Sequence, residues 1–354
     1  MKIRYEDLFF LRVGSRFLGS GGGGQSLHSH FLISEQLKKR EATISQIDEV
    51  PPDGLIMSIT PLGCPTIETE KCANRLEFKI LMEKIGAYTK KSISAIVPLG
   101  VGGEIPLFSV FLSSSFNLPI LDADCAGRCF PELQMVSTNA AGIRPQRAFI
   151  SNVMGDVFEI ECNNFYTLER HVRQVAVSSG GCCLVVPQIL TGEEAKRGLI
   201  PGTVTKALTI GKIIQETRDL NAVMEYTKGI FHGVGGIIAA TGLNMPHPFK
   251  RLIVLRNLEE KKTWEVWMDN EFNLLLENGE VIAEVPDIIT LCDPISCEPL
   301  TLRELRVCAN AAICTMKAPG IWYTEKGLAL VRKQDHTDTK NIILNSPSRL
   351  DMIA

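Results

Sequence analysis

Apolar residues recur at helical spacing over 6–18, where Leu8, Leu11, Phe17 and Leu18 gather near one face, and the glycines of 19–24 must end that helix. A second helix is predicted from Ser26 to Lys39. After Pro51 and Pro52, the run DGLIMSIT (53–60) has the continuous apolar character of a buried strand. A helical segment is predicted around 71–87, then a strand at 94–98, a helix near 105–116 and a strand over PILDAD (119–124). Strands that alternate with helices need crossover connections. This part therefore predicts a mostly parallel sheet, with its ligand site beyond the carboxyl ends of the strands.

Past Arg144 the texture changes. AFISN and VFEIEC read as paired strands, YTLERHVRQVAVSSG (166–180) as an amphipathic helix, and 203–217 as a helix with Val204, Leu208 and Ile214 among its apolar positions. From 229 to about 300 short strands dominate, and turns are expected at GVGG (233–236), NMPHP (244–248) and ENGE (277–280). The predicted fold class is α/β. Residues 1–165 are expected to form an N-terminal α/β domain with a mostly parallel sheet, and residues 166–354 a β-rich α+β domain whose chain need not be continuous. A length of 354 residues favours two cores over one.

Composition narrows the function classes. With 45% hydrophobic and 22% charged residues the chain can bury cores of ordinary size, which excludes disorder. A net charge of −3 offers no basic surface for phosphates, so no nucleic-acid partner is expected. Charges at Glu6, Asp7, Arg12 and Arg16 interrupt the N-terminus, and no apolar run reaches the roughly 20 residues that span a bilayer. The expectation is a cytoplasmic protein without a membrane partner, and a homo-oligomer as many enzymes of this size are. The 11 cysteines are odd in number and lack a CxxC pair, since Cys125 and Cys129 are four apart and Cys182 and Cys183 adjacent. Reduced, buried thiols fit this better than a zinc ribbon.

The run Gly19-Ser20-Gly21-Gly22-Gly23-Gly24 is the most unusual local feature. It lacks the GK[ST] ending of a phosphate-binding loop and follows a helix, not a strand, so no nucleotide cofactor is expected. Spacing alone leaves two readings equal: a turn whose free N–H groups hold an anion such as a substrate carboxylate, or a plain helix–helix turn. Asp122-Ala123-Asp124 closes a strand-like run, and residues two apart on a strand share a face. Such a pair suits a divalent metal or acid/base work, and Arg128 and Glu132 follow within GRCFPE; a salt-bridged loop cap fits the same residues. His28 and His30 diverge on a helix and are read as non-ligating. His232, between glycines at an expected strand-to-turn boundary, is the better candidate for proton transfer. Cys125 sits beside two carboxylates that oppose a thiolate, which makes it a minor candidate nucleophile.

Taken in order, LGSGGGG (18–24), PLGCPTIETEK (61–71), LGVGGE (99–104), LPILDADCAGRCFPELQM (118–135), PGTVTKALTIGK (201–212), GIFHG (229–233), DNEFN (269–273) and VPDIITLCD (285–293) resemble the signature blocks of the DUF917, or S-methyl-thiohydantoin desulfurase-like, family. The resemblance spans roughly residues 5 to 330, and the D-x-D-x-x-G-R-x-F-P-E block is its most specific part. It implies a hydrolase of small cyclic amide or thiohydantoin-like metabolites in which water, with metal assistance, attacks a ring carbon. Asp122 and Asp124 would hold the metal or act as base, and Arg128 and Glu132 would complete the catalytic group. Ser20, Gly21, Gly22, Gly23, Gly103, Glu104, His232 and Glu271 would bind substrate in an interdomain cleft. The chain departs from the family pattern at Gly100, where many members carry an acid, and at Ser20, where a cysteine is frequent. These departures keep an alternative open: a non-catalytic accessory or regulatory subunit of a hydantoinase- or oxoprolinase-like enzyme.

Overall fold

The computed structural model describes residues 1–24, 27–63, 75–242, 251–302 and 304–332. Its strands, in chain order, are β1 (Lys2–Ile3), β2 (Ala42–Ser45), β3 (Leu55–Gly63), β4 (Ile93–Pro98), β5 (Ile120–Leu121), β6 (Ala123–Asp124), β7 (Arg147–Ser151), β8 (Val157–Glu161), β9 (Cys182–Val186) and β10 (Ile189–Thr191). They continue with β11 (Ile200–Pro201), β12 (Ile230–Gly242), β13 (Arg251–Asn257), β14 (Lys262–Met268), β15 (Phe272–Glu277), β16 (Glu280–Glu284), β17 (Ile288–Cys292) and β18 (Asn310–Met316).

The first sheet runs β1-β2-β5-β4-β3-β9-β7-β8, with β10 also on β3. Its centre, β2-β5-β4-β3, is parallel, because helices Arg75–Thr89 and Ile105–Phe116 carry the chain back between strands. β9, β7 and β8 extend it antiparallel. This sheet takes β9 and β10 from beyond residue 165. The second sheet, β16-β15-β14-β13-β12-β18-β17, is antiparallel throughout. The α/β class with a mostly parallel centre and a β-rich second part is therefore as the periodicity predicts.

The two parts share a core. Leu8, Leu11 and Phe17 of helix Asp7–Leu18 pack in one cluster with Ile96 of β4, Ile210 and Ile214 of helix Thr203–Thr217, and Ile288 and Cys314 of the second sheet. Two glycines let the helices approach. A Cβ on Gly14 would lie 1.7 Å from the carbonyl oxygen of Ala207, and one on Gly211 would lie 1.8 Å from that of Phe10. The backbones therefore pack directly, and the N-terminal helix becomes a wall against which both sheets are held.

Local expectations are corrected at two segments. The PILDAD run is not one strand, because the chain changes partners at Asp122. Its N–H donates to Ser45 O at 2.8 Å, its carbonyl accepts from Gly202 N at 2.7 Å, and β6 leaves to pair with β11. The two carboxylates are each taken up by partners of their own, Asp122 by Thr205 and Asp124 by Gly127. GVGG (233–236) is no turn; it lies inside the 13-residue β12, where the register shifts between Phe231 and Gly233, so His232 lies within a bulged strand. Gly235 sits under Trp264, whose ring would lie 3.2 Å from a Cβ there. ENGE does turn, with positive φ at Asn278 (49°) and Gly279 (88°), the geometry that matches hairpin twist. NMPHP (244–248) and residues 64–71 of the second family block lie outside the described residues.

Candidate active-site cleft

Where the parallel strands end, the chain opens a cleft of about 780 Å³ lined by both sheets. The first part contributes Gly21–Gly24, the end of β3, Leu99 and Gly100 after β4, Glu104, and residues 129–133. Helix Phe165–Ser178, packed on the first sheet, adds Glu169 and Arg173, and the second part contributes Arg251 and the Asp269-Asn270-Glu271 corner between β14 and β15. The position beyond the carboxyl ends of β3 and β4 is the one that strand–helix alternation predicts.

The glycine run forms the floor of the cleft and is tied to the second sheet. Ser20, at φ 52°, donates its hydroxyl to Ile289 O at 2.8 Å, and its carbonyl accepts from Phe272 N at 2.8 Å. The chain then turns through positive φ at Gly21, Gly23 and Gly24. Side chains have no room here. A Cβ on Gly22 would lie 2.6 Å from Cγ of Glu271, and one on Gly23 would lie 2.7 Å from Cα of Gly103. Ser20 and Gly103 thus stand directly behind the cleft wall and shape it.

Glu271 is the convergence point. It is only 3% exposed, it is carried by the second sheet, and Oε1 lies 3.7 Å from the Cys129 thiol of the first part. Arg128, wholly buried beside it, donates Nη1 to the carbonyls of Pro286 (2.8 Å) and Asp287 (2.5 Å) and Nε to Cys129 O at 3.1 Å. Its Nη2 is buried without a hydrogen-bond partner, and burial lowers its pKa against the opposing pull of Glu271, Cys129 and Asp287. Arg128 is a buried positive charge that joins the two parts and sets the field at Glu271. On the far wall, Glu132 accepts from Gln134, while Glu169 accepts from Leu133 N at 3.0 Å and pairs with Arg173 at 2.6 Å.

Of the residues that the sequence picks out, Gly21, Gly22, Gly23, Glu104, Glu132 and Glu271 line the cleft. Asp122, Asp124, Arg128 and His232 do not. Asp122 caps the helix Thr203–Thr217, accepting from Thr205 N at 2.9 Å and Thr205 Oγ1 at 2.6 Å. Asp124 accepts from Gly127 N at 2.7 Å, and burial raises its carboxyl to about 7 against hydrogen bonds that lower it. His232 shares a 2.8 Å hydrogen bond with Thr315 on the second sheet, and burial lowers its pKa. Cys125 is wholly buried and its thiol is pushed far up, first by burial and then by Asp124. Sequence reasoning passed over Cys129, Glu169, Arg173, Asp269 and Arg251 as site residues. Only the helical period of 166–180 could have flagged Glu169 and Arg173, four apart on one face.

Residues 6–161 match the model of the S-Me-THD-like N-terminal domain, and residues 163–335 that of the S-Me-THD-like C-terminal domain. The chain belongs to the S-Me-THD-like family. This membership is consistent with a thiohydantoin-related role. The S-Me-THD-like fold is also that of a protein from Chromobacterium violaceum solved by X-ray crystallography, which matches with a TM-score of 0.81 and 19% identity over 94% of this chain and 95% of that one. At that identity the likeness concerns the fold. No protein of curated function matches the chain.

A divalent ion was expected at Asp122 and Asp124, and the residues present do not fit one. The Asp122 oxygens are occupied by Thr205, Asp124 is occupied by Gly127, and among the described residues no three His, Cys, Asp or Glu side chains cluster as ligands. Among the described residues no helix is long and apolar enough to cross a membrane.

Proposed function

We propose that this S-Me-THD-like protein hydrolyses a small cyclic amide or thiohydantoin-like metabolite in the cleft between its two sheets. The observation that carries the reading is Glu271: a nearly buried carboxylate, delivered by the second sheet onto a polyglycine floor, at the bottom of a cleft of about 780 Å³. That volume lies in the usual range for small-molecule sites, and a five-membered ring with a short side arm fits it. Glu271 acts as the general base that takes a proton from water as the water attacks the ring carbon.

Negative charge then develops on the ring oxygen or nitrogen. The main-chain N–H groups of Gly21, Gly23 and Gly24 donate to no protein acceptor among the described residues, which leaves them available to stabilise that charge. Arg128 stands behind the wall, outside the cleft lining, and joins the Glu271 side to the carbonyls of Pro286 and Asp287 without touching substrate. Glu104 and Glu132 line the rim, where they orient ring N–H groups. Substrate is the partner expected for this surface.

The test is a panel of hydantoin, 2-thiohydantoin and 2-methylthio-hydantoin, followed by loss of ring absorbance and by released thiol. Turnover that is lost on closing the floor with Gly22→Val supports the reading. Absence of turnover on every ring, with the protein instead co-purifying with a hydantoinase-like partner, would replace it by the accessory-subunit alternative.

A further inference from the structure

After β18 the chain leaves the second sheet and crosses back over the first part as a strap, residues 317–331, made of a tight turn at Gly320–Tyr323 and the helix Glu325–Val331. Its start is tied to the residue before β17. Lys317 Nζ lies 2.9 Å from Asp287 Oδ2, and the Tyr323 hydroxyl donates to Asp287 Oδ1 while accepting from Ala318 N at 3.0 Å. Its far end is capped by Thr324, whose hydroxyl accepts from Gly327 N at 3.1 Å, and the helix then packs on Ser137–Ala140 of the first part.

Between these anchors the strap meets residues 126–130 at three points. Trp322, wholly buried, donates Nε1 to Ala126 O at 2.7 Å. Pro319 lies under Gly127, which turns with a φ of 70° and where a Cβ would be 2.3 Å from the Pro319 Cγ. The Trp322 ring meets Phe130 edge-on, with centroids 4.8 Å apart and planes at 71°. The Arg128 guanidinium lies 4.9 Å from the centroid of the same Phe130 ring. Ala126 and Phe130 line the cleft, and Trp322 and Pro319 stand behind them. The indole therefore holds forward a ring that forms part of the wall.

We propose that Trp322 is a positioning residue that sets the depth of the cleft through Phe130, and with it the size of the group that the cleft admits. Phe130 is only partly buried, and the indole is the apolar body behind it. A smaller aliphatic residue at 322 vacates space in that apolar cluster, and the Phe130 ring retreats into it, because an unfilled cavity forfeits the contacts of everything that lines it. The widened cleft then takes groups that the wild-type wall excludes. The strap thus adds a size limit to the cyclic-amide reading and stands without it, since it concerns the wall and not the reaction.

Cys129, next to Phe130 on the same wall, serves as reporter. The probes are N-ethylmaleimide and the bulkier N-benzylmaleimide, with labelled sites read by peptide mass. The rate of Cys129 labelling by the benzyl probe relative to the ethyl probe is expected to rise at least about tenfold in Trp322→Leu, the scale on which a pocket discriminates by a methylene or two. Trp322→Phe, which keeps a ring against Phe130, is expected to restore the wild-type ratio. An unchanged ratio in Trp322→Leu overturns the proposal, and so does failure of both probes to reach Cys129 in every protein. A rise that extends to the buried thiols of Cys125 and Cys314 also overturns it, because that reports loosening of the whole fold. An equal rise in Trp322→Phe assigns the effect to the lost Ala126 hydrogen bond and overturns the ring contact. Should Trp322→Leu not fold, Trp322→Met is read by the same criteria. The readout needs no substrate, so a silent hydantoin panel leaves the strap standing, and an unchanged ratio leaves the hydrolase reading standing.

Discussion

Gly103 and Gly23 meet backbone to backbone: a Cβ on Gly103 would lie 2.1 Å from the carbonyl oxygen of Gly23, which in turn accepts the N–H of Glu104 at 2.9 Å. This contact locks the loop after β4 to the polyglycine floor, and Gly103 occupies it with a φ of 65°. Gly103→Ala adds both a clash with backbone and a left-handed residue with a side chain. A loss of about 2–4 kcal/mol is expected from the two effects together, read as a lower denaturant midpoint at unchanged slope.

Arg128→Ala should be among the most damaging substitutions in the chain. It leaves the carbonyls of Pro286, Asp287 and Cys129 without their buried donor and removes the counter-charge beside Glu271 and Asp287. A loss of about 3–5 kcal/mol is expected in thermal denaturation. Arg128→Lys should recover only a part, because a single ammonium cannot reproduce the guanidinium's three-way geometry.

Asp122 and Thr205 form a helix cap across 83 residues of chain. Asp122→Ala is expected to cost about 1–2 kcal/mol, since the first turn of helix Thr203–Thr217 then loses its acceptor. Asp122→Asn should cost less, because the amide oxygen still accepts one bond. Equal stability of all three proteins in urea would show that the cap contributes nothing.

Asp124 makes stability depend on pH in an unusual direction for a carboxylate. Its folded carboxyl titrates at about 7 against an ordinary 3.8, with burial as the main cause. Across that window the folded protein holds a proton that the unfolded chain has released. The contribution is therefore fully present below about pH 4, falls by about 1.4 kcal/mol per unit as pH rises, and levels off above about 7. Urea midpoints of wild type minus Asp124→Asn, taken from about pH 4 to 8, should decline and then flatten. A constant difference would place the carboxyl in an ordinary environment.

Much of the fold was legible because it rests on local periodicity. The strands at 55–63 and 93–98 and the helices at 105–116, 165–178 and 203–217 fall where their apolar spacing places them. The break at Asp122 was not legible. It depends on Ser45, Gly202 and Thr205, residues distant in sequence that draw β6 away from β5, and a two-residue period carries no trace of them. The same holds for His232, whose flanking glycines look like a turn but accommodate Trp264 inside a strand. In the candidate site, the glycine run and Glu271 were visible as unusual or motif-bearing residues. Cys129 was visible only as a cysteine, since its significance comes from a carboxylate 142 positions away.

The central claim is that Glu271 is the base of the cleft, and Glu271→Gln tests it most directly. The glutamine keeps the shape against Gly22 and removes the basic oxygen. For whichever ring the wild-type protein opens or desulfurises, kcat should fall at least about 100-fold while the circular dichroism spectrum and melting temperature stay close to wild type. A folded Glu271→Gln protein that turns over at the wild-type rate would contradict the account.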